Sequence, residues 1–229
     1  MNKKYKVLLF DLDDTILDFK KAEKTAISNL MEYYGIEVKD ENINLYHNIN
    51  KGYWKDLELG LVEREELLLL RFIDFFSKFN KTIDFDYAKS VNDKYFYELS
   101  SVVFLIPNSK EVLNNLKDKY KLCLITNGVK RVQDRRLALI SDIRDLFAAR
   151  FISEEIGYTK PDSGFAKYVL NEIKYKKEEC LIIGDSLSSD IQLGINSGID
   201  TCWYNPLKKE RDRACTYEIS NILDLLDIL

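Results

Sequence analysis

The hydrophobic positions of this chain change their rhythm twice. Residues 5–10 (Tyr-Lys-Val-Leu-Leu-Phe) form a short, nearly continuous apolar run, the pattern of a strand buried on both faces of a parallel sheet. The run ends in an acidic cluster, Asp11-Leu12-Asp13-Asp14-Thr15. From about 20 to 99 the apolar residues recur every three or four positions. That spacing predicts amphipathic helices over 22–34, 63–79 and 85–99, with a weaker helical stretch over 44–57. The region contains no proline and no convincing strand, so it reads as a helical bundle of its own.

After Pro107 strands and helices alternate. Asn108 with Glu111 three residues on predicts a capping box that opens a helix over 109–119. A strand over 121–126, closed by Asn127-Gly128, leads to a helix over 129–140. A short strand over 150–152 precedes a helix over 163–173. Further on come a strand over 180–184, a helix over 188–196 ended by Gly198, and a strand over 201–204. Ser220 is the expected cap of a last helix over 221–228. Such alternation implies a parallel sheet covered on both faces, with functional groups at the carboxyl ends of its strands. The expected fold class is α/β: a Rossmann-like parallel sheet core over 1–18 and 100–229, carrying an inserted helical-bundle cap domain over 19–99.

Composition narrows the function classes. With 46% hydrophobic and 31% charged residues in 229, the chain can bury a sizeable core. A net charge of −4 leaves no basic footprint for a nucleic-acid polymer. No apolar segment approaches the length of a membrane span, and the run after Lys3, Lys4 and Lys6 is too short for a signal-peptide core. Cys123, Cys180, Cys202 and Cys215 show no Cys-x-x-Cys pairing, and reduced structural thiols in a cytoplasmic protein are expected.

Three strand ends finish in polar residues ill suited to a strand interior: Asp11 and Asp13, then Thr126, then Asp185. Adjacent parallel strands bring such ends together. Carboxylates gathered in one place repel unless a cation sits among them, and an all-oxygen set suits a hard ion such as Mg²⁺. Lys160, in the loop Tyr158-Thr-Lys-Pro-Asp162, is a candidate for a second positive charge.

Asp11-Leu-Asp-Asp-Thr15, Thr126-Asn-Gly128, Lys160-Pro-Asp162 and Gly184-Asp-Ser-Leu-Ser-Ser-Asp190 resemble the four ordered motifs of the haloacid dehalogenase superfamily. The match spans about two-thirds of the chain, and the insertion after the first motif resembles that family's helical cap. The resemblance implies that Asp11 is the nucleophile and that Asp13 is the acid–base group, its carbonyl also facing the metal. It implies phosphoryl binding by Thr126, the backbone N–H of Asn127 and Lys160. Asp11, Asp13 and Asp185 would be the Mg²⁺ ligands, with Asp190 behind them. An acid at position 13 points to phosphate-ester chemistry, since relatives that act on carbon–halogen bonds carry a non-acidic residue there. Asp14, Val132-Gln133, Arg136-Leu137, Gly198–Pro206, Trp54 and Gly60 are similar to the bacterial pyrimidine 5′-nucleotidase branch. That branch implies a small phosphorylated metabolite, a nucleoside monophosphate, as substrate, with Phe19 and Trp54 as candidate contacts. The chain departs from the usual pattern at Asn108-Ser109, where glycine commonly follows the proline, and at Asp162-Ser163-Gly164. A monomer and a dimer are equally open.

Plainer readings stand beside these. Alone, Lys160 is a surface lysine, Thr126 a strand-ending residue and Asp190 a helix cap. Lys130, Arg131, Arg135 and Arg136 read as the wet face of a helix, His47 as a surface residue, and the aromatic residues of 53–79 as helix-packing core. Gly184-Asp-Ser-Leu187 also looks like a serine-esterase block, but that chemistry needs a histidine base and His47 is the sole histidine, in the helical region. A sugar-phosphate phosphatase, a hexose-phosphate mutase of the same fold and a non-catalytic phosphate-binding module remain as alternatives.

Overall fold

In the computed structural model, which describes residues 4–229, the first apolar run forms β1 (Val7–Phe10), with all four side chains buried. The chain divides into two compact units. One ends at Phe19 and resumes over Val103–Leu229; the other is Lys20–Val102.

Four helices make the second unit: α1 (Phe19–Tyr33, its first residue counted with the other unit), α2 (Asp40–Glu58), α3 (Arg64–Ser77) and α4 (Phe85–Ser100). The stretch that read as weakly helical is a full helix, and Asp40 and Glu41 complement the dipole at its first turn. Asp84 caps α4 by accepting from the Tyr87 N–H at 2.8 Å. The core is aromatic. Tyr46, Phe72, Phe75 and Tyr95 meet ring to ring at 5.4–5.5 Å.

Inside that apolar shell lies a polar chain. Buried Glu23 accepts from Asn50 at 2.6 Å and pairs with His47 at 2.6 Å. Arg71, also buried, donates to Asn50 and to Asn92, each at 2.8 Å. His47 is therefore not a plain surface residue; it is half-buried and oriented by a carboxylate. The Glu23 hydrogen bond raises its pKa above the ordinary value, against burial and the nearby Lys51 and Lys20.

The other unit follows in chain order: α5 (Ser109–Leu116), β2 (Lys121–Thr126), α6 (Lys130–Leu139), α7 (Ser141–Arg144), β3 (Ala149–Ile152), α8 (Ser153–Ile156), α9 (Ser163–Ile173), β4 (Cys180–Gly184), a π-helical turn over Leu187–Ile191, α10 (Gln192–Ser197), β5 (Asp200–Tyr204), β6 (Tyr217–Ile219) and α11 (Leu225–Ile228). Among the described residues the six strands form one sheet in the order β3-β2-β1-β4-β5-β6, every neighbouring pair parallel. Alternate residues feed two cores. Leu8, Phe10, Leu122, Leu124, Leu181 and Ile183 pack on one face; Val7, Leu9, Cys123, Ile125, Cys180 and Ile182 pack on the other. The order reverses at β1, so Asp11, just past its carboxyl end, stands at the switch point where such sheets place their sites.

The point where the chain returns to this unit is set by backbone pairing. Phe104 accepts from the Asp18 N–H at 2.8 Å and Ile16 from the Ile106 N–H at 2.9 Å. Among the described residues no helix is long and apolar enough to cross a membrane.

Three local expectations are corrected. Asn108 does precede α5, but at φ 66°, in the left-handed region, and its side chain makes no cap hydrogen bond. The glycine common after this proline is thereby explained, because only glycine adopts that conformation without a penalty. The helix expected over 221–228 opens as a 3-10 turn over Ile222–Asp224 before α11, and Asn221, not Ser220, caps that turn: Asn221 accepts from the Leu223 N–H, and Asp224 accepts from the Asn221 N–H, both at 3.0 Å. The helix expected over 188–196 opens as the π-helical turn and becomes α-helical only from Gln192.

Asn108→Gly is expected to keep or raise the unfolding free energy, whereas Asn108→Val should lower it by about 1–2 kcal/mol in urea titrations. His47→Ala should cost stability mainly at low pH. A group whose folded pKa is raised stabilises fully below its unfolded value, about 6.5, and loses that contribution as pH rises through the folded one. The gap in Tm between His47→Ala and the parent should therefore shrink from pH 5.5 to pH 8.5.

Candidate active site

Lys160 is 2% exposed, although its loop reads as surface. Its ammonium uses all three donors: Asp11 Oδ1 at 2.6 Å, Asp190 Oδ1 at 2.6 Å and the Ile125 carbonyl at 3.1 Å. The loop is latched by Asn127, whose amide donates to the Lys160 carbonyl at 2.8 Å and accepts from the Lys160 N–H at 2.9 Å. The Lys160–Pro161 peptide bond is cis. Burial by itself pushes the Lys160 pKa down, but the two carboxylates outweigh it and hold the ammonium charged.

Asp11 ends β1, its N–H donating to the Ile183 carbonyl at 2.8 Å. Burial pushes its carboxyl well above the ordinary range; Lys160 pulls against this, while Asp190 and Asp185 push upward too. Carboxylate oxygens of Asp11, Asp185 and Asp190 lie within 4.8 Å of one another. Three carboxylates around one ammonium leave two negative charges over. The donor set is all oxygen, so the residues fit a hard divalent cation.

Asp190 reaches this point from the π-helical turn. Its second oxygen accepts from the Ser186 N–H at 3.2 Å. Gly184 makes room for it, since a Cβ there would stand 2.2 Å from Asp190 Oδ2. Asp185 is half-buried, and its carbonyl accepts from the Trp203 indole N–H at 2.9 Å.

Thr126 Oγ1 accepts from the Gly128 N–H at 3.0 Å and from Gln133 Nε2 at 3.3 Å. With both lone pairs engaged, its O–H remains as a donor. Asp13 is held from α6: Gln133 Nε2 donates to Oδ2 and Arg136 to Oδ1, each at 2.6 Å. Arg136 therefore corrects the reading of α6 as a wet basic face. Arg131 and Arg135 are exposed, but Arg136 is 0% exposed. Gln133 and Arg136 share one helix face by their i, i+3 spacing, a signal present in the sequence but indistinguishable there from a solvated pattern. Asp14 sits at φ 56°, in the left-handed region.

Among the residues expected at the site, the structure thus gathers Asp11, Lys160, Asp185 and Asp190, and ties Asp13 to Thr126 through Gln133. Phe19 lies with its ring 5.9 Å from the Arg136 guanidinium carbon. Trp54 belongs to the helical unit, half-buried with the Arg64 guanidinium over its ring at 5.6 Å.

The chain belongs to the haloacid dehalogenase-like hydrolase family, whose model matches residues 5–198. It is 38% identical to the pyrimidine 5′-nucleotidase PynA of Streptococcus pneumoniae, over 98% of this chain and 95% of that one. It is 28% identical to the pyrimidine 5′-nucleotidase YjjG of Escherichia coli, over 99% and 98%. The magnesium-bound crystal structure of the HAD-hydrolase YfnB of Bacillus subtilis superposes with a TM-score of 0.91 at 36% identity, covering 99% of each chain.

Gly184→Ala should push Asp190 off Lys160 and lower the hydrolytic rate about 10–100-fold while the protein stays folded, read by steady-state kinetics alongside circular dichroism.

Proposed function

We propose that this hydrolase is a phosphatase that removes the phosphate of nucleoside 5′-monophosphates through an aspartyl-phosphate on Asp11. The observation that carries the reading is the grouping of Asp11 with Lys160, Asp185 and Asp190, with an acid, Asp13, two residues on. The nucleotide preference rests on the names borne by PynA and YjjG.

In this reading Lys160 holds Asp11 Oδ1, and Asp11 Oδ2 attacks phosphorus. The bond from phosphorus to the ester oxygen breaks, and Asp13 gives its proton to that leaving oxygen. Asp13 then takes a proton from water as the water attacks the aspartyl-phosphate, which releases inorganic phosphate and restores the Asp11 carboxylate. The Thr126 hydroxyl and the Asn127 N–H, close to the start of α6, orient the phosphoryl oxygens. Asp11 and Asp185, with the Asp13 carbonyl, would hold Mg²⁺, and Asp190 would keep Lys160 in place. When bound, the ion neutralises charge on the phosphoryl oxygens.

We assign the helical unit inserted after β1, Lys20–Val102, as a cap domain. A reducing, cytoplasmic setting is supported by the cysteines, all four of which are free thiols.

Asp11→Asn should lower Mg²⁺-dependent phosphate release at least a thousandfold (on the order of the losses seen when a nucleophile is removed). A panel of nucleoside monophosphates and sugar phosphates, with and without Mg²⁺, checks the substrate class. Nucleotides should give the highest kcat/KM; preference for a sugar phosphate, or an isomerised sugar phosphate as product, would count against the nucleotidase reading.

A further inference from the structure

Helix α6 buries two polar side chains that none of the four motifs contains. Arg136 is 0% exposed; one of its terminal nitrogens donates to Asp13 Oδ1 at 2.6 Å and to Gln133 Oε1 at 3.1 Å. Its Nε and its other terminal nitrogen are buried without a hydrogen-bond partner among the described residues. Gln133, 1% exposed, donates to Asp13 Oδ2 at 2.6 Å and to Thr126 Oγ1 at 3.3 Å. Both oxygens of Asp13 are thus gripped by N–H donors from one helix.

The arrangement is costly. A buried guanidinium with unmade donors is far more expensive than a leucine filling the same space. Nor is the room accidental. A Cβ at Gly128 would lie 2.0 Å from Gln133 Nε2, so the glycine of Thr126-Asn127-Gly128 leaves the room that Gln133 fills in this rotamer. Two independent features, an expensive arginine and a dedicated gap, converge on the carboxylate of one residue.

We infer that Arg136 and Gln133 are positioning residues for the acid–base group. Arg136 anchors Oδ1 and Gln133 anchors Oδ2, which holds Asp13 in one rotamer. Gln133 also couples Asp13 to Thr126, so proton donor and phosphoryl-binding hydroxyl keep a fixed separation. The inference rests on the phosphatase reading above. It makes a demand that a merely structural role does not: the damage from losing either residue depends on the leaving group. An alkoxide, such as a nucleoside 5′-oxygen, needs a proton as the bond to phosphorus breaks. A nitrophenolate departs without one.

The experiment measures kcat/KM, which covers the steps up to the aspartyl-phosphate, for Arg136→Met and Gln133→Leu. The substrates are the nucleoside monophosphate or other alkyl phosphate turned over fastest by the parent, and 4-nitrophenyl phosphate. Loss of an aligned general acid should lower the alkyl value about a hundredfold. The aryl value should fall no more than about fivefold, since that leaving group gains little from general-acid help. An equal fall on both substrates, or no fall on either, overturns the inference. Should Arg136→Met fail to fold by circular dichroism, Gln133→Leu decides alone, because it removes a neutral donor and unpairs no charge. The parent and Asp11→Asn are measured first. A parent inert toward every phosphate, or an active Asp11→Asn, sinks the phosphatase reading and this inference with it. An active parent with an inert Asp11→Asn leaves the alkyl-to-aryl ratio as the sole judge.

Discussion

One buried ammonium organises the α/β unit's chemistry. Lys160 sits where solvent cannot pay for its charge, so its three N–H groups must each find an acceptor, and they do: Asp11, Asp190 and the Ile125 carbonyl. Those partners come from the end of β1, the turn after β4 and the last residues of β2. Removing the ammonium would leave two buried carboxylates facing each other, a loss of about 3–5 kcal/mol for a broken buried pair. The same contact that stabilises the strand ends also aims the carboxylate of Asp11.

What surrounds this contact is arranged by room as much as by attraction. Asn127 clamps the backbone of the lysine's own loop, which fixes the ammonium's starting point. Gly184 and Gly128 are defined by what fills their missing side chains, Asp190 in one case and Gln133 in the other. The motif glycines therefore act through side chains that follow them closely in the chain, on the next helical turn. Asp14 and Asn108 show the converse. Both take a left-handed backbone without being glycine, and both are residue types that tolerate it better than most.

The helical unit solves a similar problem with neutral spacers. Asn50 stands between Glu23 and Arg71, giving to one and accepting from the other. Aromatic rings complete the shell, with the Arg71 guanidinium carbon 4.9–5.5 Å from the rings of Phe72, Tyr95 and Phe96. A polar chain inside an aromatic core specifies one packing, because sliding a helix would strand a charge.

Much of this was legible without coordinates. The long helices announced themselves by period, and β2, α9 and β4 ran between the expected residues, because burial on one or both faces imposes its repeat on the sequence. Polar strand ends pointed to Asp11, Asp13, Thr126 and Asp185, since a parallel sheet gathers such ends. The short elements α7, α8 and β6 carried no period and were not expected. Only the tertiary structure decided that Arg136 is buried while Arg131 and Arg135 are wet, that Asn108 turns left-handed instead of capping, and that His47 answers to Glu23. A side chain's burial and partner depend on which distant segment arrives opposite it, and no local pattern encodes that arrival.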